Sequence, residues 1–247
     1  ASHRIVTERS QLAMPETRIG FFPDVGGGYF LSRCPGYAGE WLALTGNAVS
    51  GADALDIGWA DHWLPSTRLP EFWRQLAEKE WSDSAAITQW VTQSCDPAPA
   101  VSDDFVHGLR QAEHYFAGTD LAAIVRQLEQ AKGDAWAQAT AATLRQRSPL
   151  MLHVVLRQIR SGRALSYAQN IYRERVMVHH CFHPDHLGRA PRSSEVIEGI
   201  RALVIDKDQR PLWQPERVED VTPEMAEGFF AEVWRPGDHP LRQLLQP

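Results

Sequence analysis

Residues 14–31, MPETRIGFFPDVGGGYFL, carry most of what this chain reveals about its fold. They place two carboxylates, Glu16 and Asp24, on one short irregular stretch that also holds two prolines and four glycines. A strand is predicted before this stretch, at Ile5 and Val6, and a helix after it. Catalytic groups tend to lie on loops that a rigid scaffold positions, and two acids in different environments are common in acid/base catalysis. The stretch is therefore the first candidate for a site.

The composition argues against several classes of protein. The chain has 247 residues, of which 43% are hydrophobic, and a net charge of −6. That length suffices for one large domain. The acidic balance, without a basic stripe, argues against a nucleic-acid partner. No apolar run approaches the roughly 20 residues that span a bilayer, so we expect no membrane partner.

The cysteine content indicates a reducing compartment. Cys34, Cys95 and Cys181 are scattered and form no CxxC pair. Such a set predicts neither a disulfide framework nor a zinc site, and no signal peptide is visible. We expect a cytoplasmic protein, or one of the mitochondrial matrix if the source is eukaryotic.

Helical periodicity dominates the chain after residue 70. Asp134 and Ser148 are suitable N-caps there, and Thr119 is predicted to begin a helix. The predicted helices cover residues 70–81, 84–94, 103–117, 120–132, 134–147, 149–161 and 165–182. Only residues 202–205, ALVI, have the composition of a strand in this part of the chain.

The first 66 residues predict shorter elements. Apolar residues at helical spacing favour a helix over residues 37–45, with Gly46 as its C-terminal cap. Ser50 is a suitable N-cap for a helix over residues 52–57. A short strand is predicted within residues 59–64.

Three motifs carry a resemblance to a known family. Residues 14–31 resemble the active-site segment of the crotonase, or enoyl-CoA hydratase/isomerase, superfamily, and the acid at Asp24 is similar to that of its 3-hydroxyisobutyryl-CoA hydrolase branch. RQRSP with LRQI, at 145–149 and 156–159, and EGIRALVIDKD at 198–208, resemble the same branch. Residues 186–196 depart from the pattern, and we predict a surface insertion there.

The resemblance implies an α/β fold in two parts. Residues 1–66 would form the C-terminal part of a crotonase-like ββα spiral core whose front is missing from this sequence. Residues 67–247 would form the mostly helical C-terminal region. In the resembled family two backbone N–H groups bind the thioester oxygen. We expect an upstream segment or a companion chain to supply these donors.

The resemblance also implies an activity, namely hydrolysis of a short 3-hydroxyacyl-CoA thioester. The expected substrate is 3-hydroxyisobutyryl-CoA, an intermediate of valine breakdown. Coenzyme A is part of that substrate, and no other cofactor and no metal is expected. Members of the superfamily commonly form oligomers, so we carry a homo-oligomer as an expectation. An enoyl-CoA hydratase or isomerase, and a non-catalytic scaffold subunit with the same fold, stay open as alternatives.

The resemblance assigns roles within the acidic stretch. Glu16 would attack the thioester carbonyl or activate the attacking water. Asp24 would hold the substrate hydroxyl, orient water or keep Glu16 in its useful protonation state. Gly26 and Gly27 would contact substrate, although a role in close backbone approach stays open. From the residues alone, Glu16 could instead cap the next turn or pair with an arginine, Arg18 or Arg33, and Asp24 could cap the following helix.

Two further clusters have both a functional and an ordinary interpretation. The histidines at 179, 180, 183 and 186 could bind zinc through the pair His179 and His183, but no glutamate completes an HExxH motif. A solvated helix end is the simpler interpretation. The arginines at 157, 160 and 163 could contact coenzyme A phosphates or form a solvated helix face, so no site is assigned to them.

Overall fold

The fold divides into two contact units in a computed structural model that describes residues 2–235 and 237–245. The first unit comprises Ala1–Ala13 and Ala48–Leu109, and the second comprises Met14–Asn47 and Arg110–Pro247.

These contact units differ from the segments predicted at residues 1–66 and 67–247. The division into a crotonase core and a helical region at residues 1–66 and 67–247 stays a prediction. The contact units have other boundaries because residues 14–47 pack with the helices that follow residue 110.

The helices follow the predicted pattern closely. In the described residues the α-helices are α1 (Gly27–Leu31), α2 (Ala38–Thr45), α3 (Gly51–Asp56), α4 (Leu69–Glu78), α5 (Ser84–Ser94), α6 (Asp103–Tyr115), α7 (Leu121–Gln130), α8 (Ala135–Arg145), α9 (Pro149–Gly162), α10 (Tyr167–Phe182), α11 (Glu195–Ile200) and α12 (Pro223–Glu227). Short 3-10 helices cover Glu16–Ile19, Ser66–Arg68, Asp185–Leu187, Pro191–Ser193, Val218–Asp220, Gly228–Phe230 and Arg242–Leu245. The seven helices predicted between residues 70 and 182 are confirmed to within three residues at each end. None of the described helices combines the length and apolar character that crossing a membrane requires.

Side-chain caps explain several of these boundaries. Ser50 accepts a hydrogen bond from the Asp53 N–H, and the Asp53 side chain bonds back, so α3 begins with a capping box. Asp134 and Ser148 cap α8 and α9 as predicted. The predicted start at Thr119 is one residue early, because Asp120 is the residue whose side chain caps α7.

Strands are short and belong to the first unit. The described strands are β1 (Ile5–Val6), β2 (Gln11–Leu12), β3 (Val49–Ser50) and β4 (His62–Trp63). β1 pairs in parallel with β4, and β2 pairs antiparallel with β3. Buried Leu64, Phe72 and Val91 form a hydrophobic cluster in this unit. The strands predicted at Ile5 and Val6 and within residues 59–64 are therefore confirmed.

The strand predicted at residues 202–205 is wrong. α11 runs directly into a π-helical segment, Arg201–Ile205. Ala202 is buried, whereas Val204 and Ile205 are exposed, so the run does not fill a core as a buried strand would. A short apolar run does not distinguish helix from strand by itself. Here the preceding helix extends through it, because adding a residue to an existing helix avoids the cost of nucleation.

The second unit is built around α9. Buried Met151, Val155 and Ile159 lie on this helix, which packs against α1, α2, α7 and α12. α10 also packs against α1. Two long helices of this unit thus contact the short helix that follows the acidic stretch. Residues 186–193 are largely exposed, but Ser194, Glu195 and Val196 are buried, so a surface position holds for only part of the insertion predicted at 186–196, and the insertion itself stays a prediction.

Candidate active site

The acid loop, defined as residues 16–28, lies entirely in the second unit. It begins with the 3-10 helix Glu16–Ile19. Thr17 is fully buried, and its hydroxyl donates a hydrogen bond to the Leu44 carbonyl oxygen at 3.1 Å. The Thr17 carbonyl oxygen accepts a hydrogen bond from the Ser148 N–H at 3.4 Å. The end of α2 and the start of α9 therefore hold the turn that carries the first acid.

Glu16 is half-buried, and its Oε2 atom has no hydrogen-bond partner within the described residues. The sequence allows Glu16 to form an ion pair with Arg18 or with Arg33. Arg18 instead donates to the Gln209 side chain at 3.2 Å, and Arg33 donates to the Leu165 carbonyl oxygen at 2.7 Å. The ion-pair interpretation of Glu16 is therefore wrong, and neither guanidinium neutralises its carboxyl group.

The two acids of the loop have unusual proton affinities. Burial raises the pKa of Glu16 to about 7, its own backbone N–H opposes the rise, and the charge of Asp24 adds to it. Burial also raises the pKa of Asp24, again against a hydrogen bond from its own backbone. A carboxyl group with a pKa near neutrality can accept and return a proton within one reaction. The loop therefore has the electrostatics of an acid/base site.

Asp24 does not cap the following helix. Gly26 is the N-cap of α1, and no side chain caps this helix. Asp24 contributes only its backbone carbonyl oxygen, which accepts a hydrogen bond from the Gly27 N–H at 2.7 Å. The capping interpretation is wrong for this reason, and the carboxyl group of Asp24 is partly exposed.

Glu174 contacts the acid loop, although the sequence gives no reason to place it there. Its side chain lies on α10, and the residue is only 4% exposed. The two carboxylate oxygens accept hydrogen bonds from the Gly26 N–H at 2.8 Å and the Gly28 N–H at 3.2 Å. Burial raises the pKa of Glu174 to about 7, against these two hydrogen bonds, and the charge of Asp24 contributes to the rise. A third carboxyl group thus belongs to the same electrostatic system.

One signal in the sequence could have identified Glu174. It follows Asn170 by four residues and precedes Met177 and Cys181, and all four are buried on α10. A glutamate within the buried stripe of a helix needs specific partners, because an unpaired buried charge is very costly. The sequence does not show that those partners are backbone groups near residue 26.

Gln158 belongs to the LRQI motif, but the sequence gives no sign that it contacts the acid loop. It lies on α9 with no exposed surface, and its Nε2 atom donates to the Pro23 carbonyl oxygen at 2.8 Å. A Cβ atom added at Gly28 would lie 2.7 Å from that same nitrogen. Gln158 therefore contacts the loop on both sides of Asp24, and an alanine at position 28 would force its side-chain amide to shift.

The glycines form an anion cradle, but a side chain of the chain itself occupies it. The N–H groups of Gly26 and Gly28 bind Glu174, and that of Gly27 binds the Asp24 carbonyl oxygen. Successive N–H groups in such a turn favour a negative group. Contact of Gly26 and Gly27 with substrate stays a prediction, and their N–H groups already have partners in this structure.

The histidine cluster does not form a metal site in the described residues, where no group of three or more ligating side chains could hold an ion. The rings of His179 and His183 stack with centroids 4.5 Å apart. The Nε2 atom of His180 lies 2.8 Å from the Ala231 carbonyl oxygen. These imidazoles pack against one another and against backbone at the end of α10.

The three arginines of α9 and its C-terminal end have partners within the second unit. Arg157 pairs with Glu227 at 2.7 Å, and Arg163 pairs with buried Glu40 at 2.7 Å. Arg160 donates to two backbone carbonyl oxygens, those of residues 116 and 118. Arg160 is only partly exposed and Arg163 pairs with a buried acid, so the solvated helix face describes this run only in part.

Comparison with known proteins agrees with the motifs. A family model described as enoyl-CoA hydratase/isomerase matches residues 1–230. The chain is 36% identical to 3-hydroxyisobutyryl-CoA hydrolase 1 of Arabidopsis thaliana over 239 residues, which cover 95% of this chain and 61% of that protein. It is also 33% identical to the small ribosomal subunit protein mS47 of the same plant, covering 92% of this chain and 55% of that one.

A solved structure is similar as well. The crystal structure of a carnitinyl-CoA dehydratase from Mycobacterium thermoresistibile superposes with a TM-score of 0.78 at 32% identity, covering 94% of this chain and 62% of that one. This supports the expected α/β crotonase-like fold. The chain spans about three fifths of the length of the curated relatives it matches. The extent of these matches shows that the chain belongs to the enoyl-CoA hydratase/isomerase, or crotonase, family.

Proposed function

We propose that this chain carries the acidic part of the active site of a CoA thioester hydrolase, with 3-hydroxyisobutyryl-CoA as its substrate. The observation that carries the proposal is the electrostatic coupling of Glu16 and Asp24 on one loop, with the pKa of Glu16 near 7. A carboxyl group with that pKa is matched to proton transfer at neutral pH. The similarity to 3-hydroxyisobutyryl-CoA hydrolases of several organisms supports the choice of substrate.

In the proposed reaction Glu16 serves one of two roles. As a general base it takes a proton from the water that attacks the thioester carbonyl, and the proton later passes to the departing CoA thiolate. As a nucleophile its carboxylate attacks the thioester carbonyl and expels CoA thiolate, and water then hydrolyses the resulting mixed anhydride to the free acid and the Glu16 carboxylate. Both routes produce an oxyanion. Its donors are expected from an upstream segment or a companion chain.

Asp24 is proposed to act on the substrate and on Glu16 together. Its partly exposed carboxyl group would hold the 3-hydroxyl of the acyl group or orient the attacking water. Its charge helps to keep the pKa of Glu16 near 7. The proposed reaction requires no redox cofactor and no metal, because carboxyl groups and oxyanion donors suffice for thioester hydrolysis. We further propose that the reaction belongs to valine breakdown and takes place in the cytoplasm or the mitochondrial matrix.

The test is release of free CoA from 3-hydroxyisobutyryl-CoA by protein expressed from the complete reading frame. Glu16→Gln and Asp24→Asn keep the shape of each side chain and remove its acidity, and each is expected to lower kcat at least about a hundredfold. Glu113→Gln, at an exposed position of α6, is the matched control and should behave as the parent. A folded parent that releases no CoA would refute the proposal.

A second candidate is hydration or dehydration of a CoA thioester. The similarity to a carnitinyl-CoA dehydratase structure favours it. The two reactions differ in their products, because hydrolysis yields a free thiol and hydration changes the absorbance of the enoyl group. Enoyl-CoA turnover without thiol release would select this candidate.

A non-catalytic scaffold is a third candidate, and the similarity to a ribosomal subunit protein favours it. The acid loop argues against it, because two partly buried acids with raised pKa values cost stability that a scaffold has no need to lose. Binding of CoA without turnover of either substrate would favour the scaffold.

A further inference from the structure

Glu174 binds the backbone of the acid loop with both oxygens of one carboxylate. The bonded groups are the N–H groups of Gly26 and Gly28, at 2.8 and 3.2 Å. Gly26 lies two positions after Asp24 in the sequence, so any movement of this turn moves the second acid of the loop. Glu174 itself is 4% exposed and therefore has little freedom to move.

The backbone between the acid and this contact adopts an unusual conformation. Val25 has a φ of 48° and Gly26 a φ of 91°, both in the left-handed region. A β-branched residue rarely adopts that conformation, and it persists only where the surrounding structure enforces it. Val25 is 78% exposed, so its own side chain contributes little packing that could hold the turn. The two hydrogen bonds to Glu174 hold the backbone immediately after it.

A neutral side chain would not make the same contact. Each carboxylate oxygen of Glu174 accepts from one of the two N–H groups, whereas an amide side chain would place its NH2 donor against one of them. The carboxylate also lies near Asp24, whose charge raises the pKa of Glu174. Placing the Glu174 carboxylate near Asp24 is unfavourable for stability. Its presence there is easier to understand if Glu174 serves to hold the acid loop in place.

We propose that Glu174 is a positioning residue, whose carboxylate holds the Val25–Gly26 turn and thereby places Asp24 for the reaction. The expected effect of Glu174 on the reaction rate rests on the proposed function. Its expected effect on the loop rests on the hydrogen bonds from Gly26 and Gly28 alone. Glu174 does not touch the reacting atoms in this account.

The test compares Glu174→Gln with a matched control, Glu40→Gln. Glu40 is buried as well and carries an ion pair with Arg163, but within the described part of the chain none of its hydrogen bonds and ion pairs involves the acid loop. In Glu174→Gln the NH2 group takes the place of one carboxylate oxygen, so it faces one of the two N–H donors instead of accepting from it. We expect kcat to fall about ten- to a hundredfold, the range for a small misplacement of a catalytic group.

A second readout does not depend on activity. The backbone amide resonances of Gly26 and Gly28, followed by NMR, should shift in Glu174→Gln and stay in place in Glu40→Gln. Glu174→Asp keeps both oxygens on a side chain shorter by one methylene, and should reduce kcat less than the glutamine variant. It replaces that variant in the comparison if Glu174→Gln does not fold.

The outcomes separate this proposal from the proposed function. Parental kcat in folded variants at Glu174 would overturn it, as would equal losses in Glu174→Gln and Glu40→Gln that follow the folded fraction. Unchanged amide resonances of the two glycines would also overturn it. A parent without activity towards the thioester, in which these resonances still respond to Glu174→Gln, would instead refute the hydrolase proposal and leave the loop contact established.

Discussion

Glu16 and Asp24 interact electrostatically within one loop: burial raises the pKa of Glu16 to about 7, and the negative charge of Asp24 adds to that rise. The charge of Asp24 thus favours the protonated form of Glu16, whose pKa of about 7 allows it to exchange a proton near neutral pH. Neighbouring carboxyl groups commonly divide their tasks in this way, because two like charges close together do not ionise independently.

The first prediction concerns this coupling. Asp24→Asn removes the charge and keeps the shape of the side chain, so the pKa of Glu16 should fall below about 7. It should stay above the ordinary value for glutamate, because burial is the larger cause and is unchanged. The pKa of Glu174 should fall as well, since Asp24 contributes to its rise. Both values can be measured by NMR titration of the glutamate side-chain carboxyl carbons.

The control for this titration is Glu113→Gln, which removes an exposed negative charge of α6 outside the loop. It should leave both pKa values in place. An unchanged pKa of Glu16 in Asp24→Asn would show that the two acids do not interact.

The second prediction links the same acid to stability. The pKa of Glu16 is raised to about 7 in the folded protein, from an ordinary value of 4.5. Between these values the folded chain holds a proton that the unfolded chain has released, so the free energy of unfolding falls as the pH rises through this window. Glu16→Gln removes that loss. It should be more stable than the parent at pH 8 by about 1 to 2 kcal/mol, a value reduced from the full linkage because the side chain retains contact with water.

Urea unfolding of both proteins, at a pH below 4.5 and at pH 8, tests this sign. The difference should be near zero at the lower pH and largest at the higher one. A glutamine variant that is less stable than the parent at pH 8 would mean that the ionised carboxylate has a stabilising partner in solution.

Most of the helical fold is predictable from the sequence, because local signals determine its boundaries. Ser50, Asp134 and Ser148 each cap the helix predicted for them. The prediction fails at residues 202–205, where composition suggests a strand and the preceding helix continues. Four apolar residues are too few to show a helical or strand periodicity, so their conformation depends on whether the preceding helix α11 continues.

The acids of the site are predictable, but the residues that hold them are not. Glu16 and Asp24 lie within one short motif, whereas Gln158 and Glu174 are far from it in the sequence and reach it only through packing of α9 and α10. The N–H groups of Gly26 and Gly28 bind an anion, and that anion is a glutamate of the chain. Which anion occupies the cradle depends on tertiary contacts that no local pattern encodes.

The third prediction concerns the Gln158 contact. Gln158→Leu keeps a similar volume in a fully buried position but removes the donor to the Pro23 carbonyl oxygen. A buried carbonyl that loses its partner should cost about 1 to 3 kcal/mol in the free energy of unfolding. Gln146→Leu, at an exposed position, is the control and should change this energy by less than about 0.5 kcal/mol. Equal stability of the two variants in urea would contradict the role of this hydrogen bond.

The last prediction tests the close approach between α1 and α9. An alanine Cβ at position 28 would lie 2.7 Å from Nε2 of Gln158, which is closer than packed atoms allow, and Gly28 lacks the positive φ that would itself exclude alanine. Gly28→Ala should therefore destabilise the protein by about 1 to 3 kcal/mol through overpacking. In a Gln158→Ala background the space is free, so the same change should cost less, with a coupling energy of about 1 kcal/mol or more in a double-mutant cycle. Urea unfolding of the four proteins measures it. Additivity within about 0.5 kcal/mol would mean that the two residues do not restrain each other, and Gln158 would then restrain the acid loop through the Pro23 carbonyl alone.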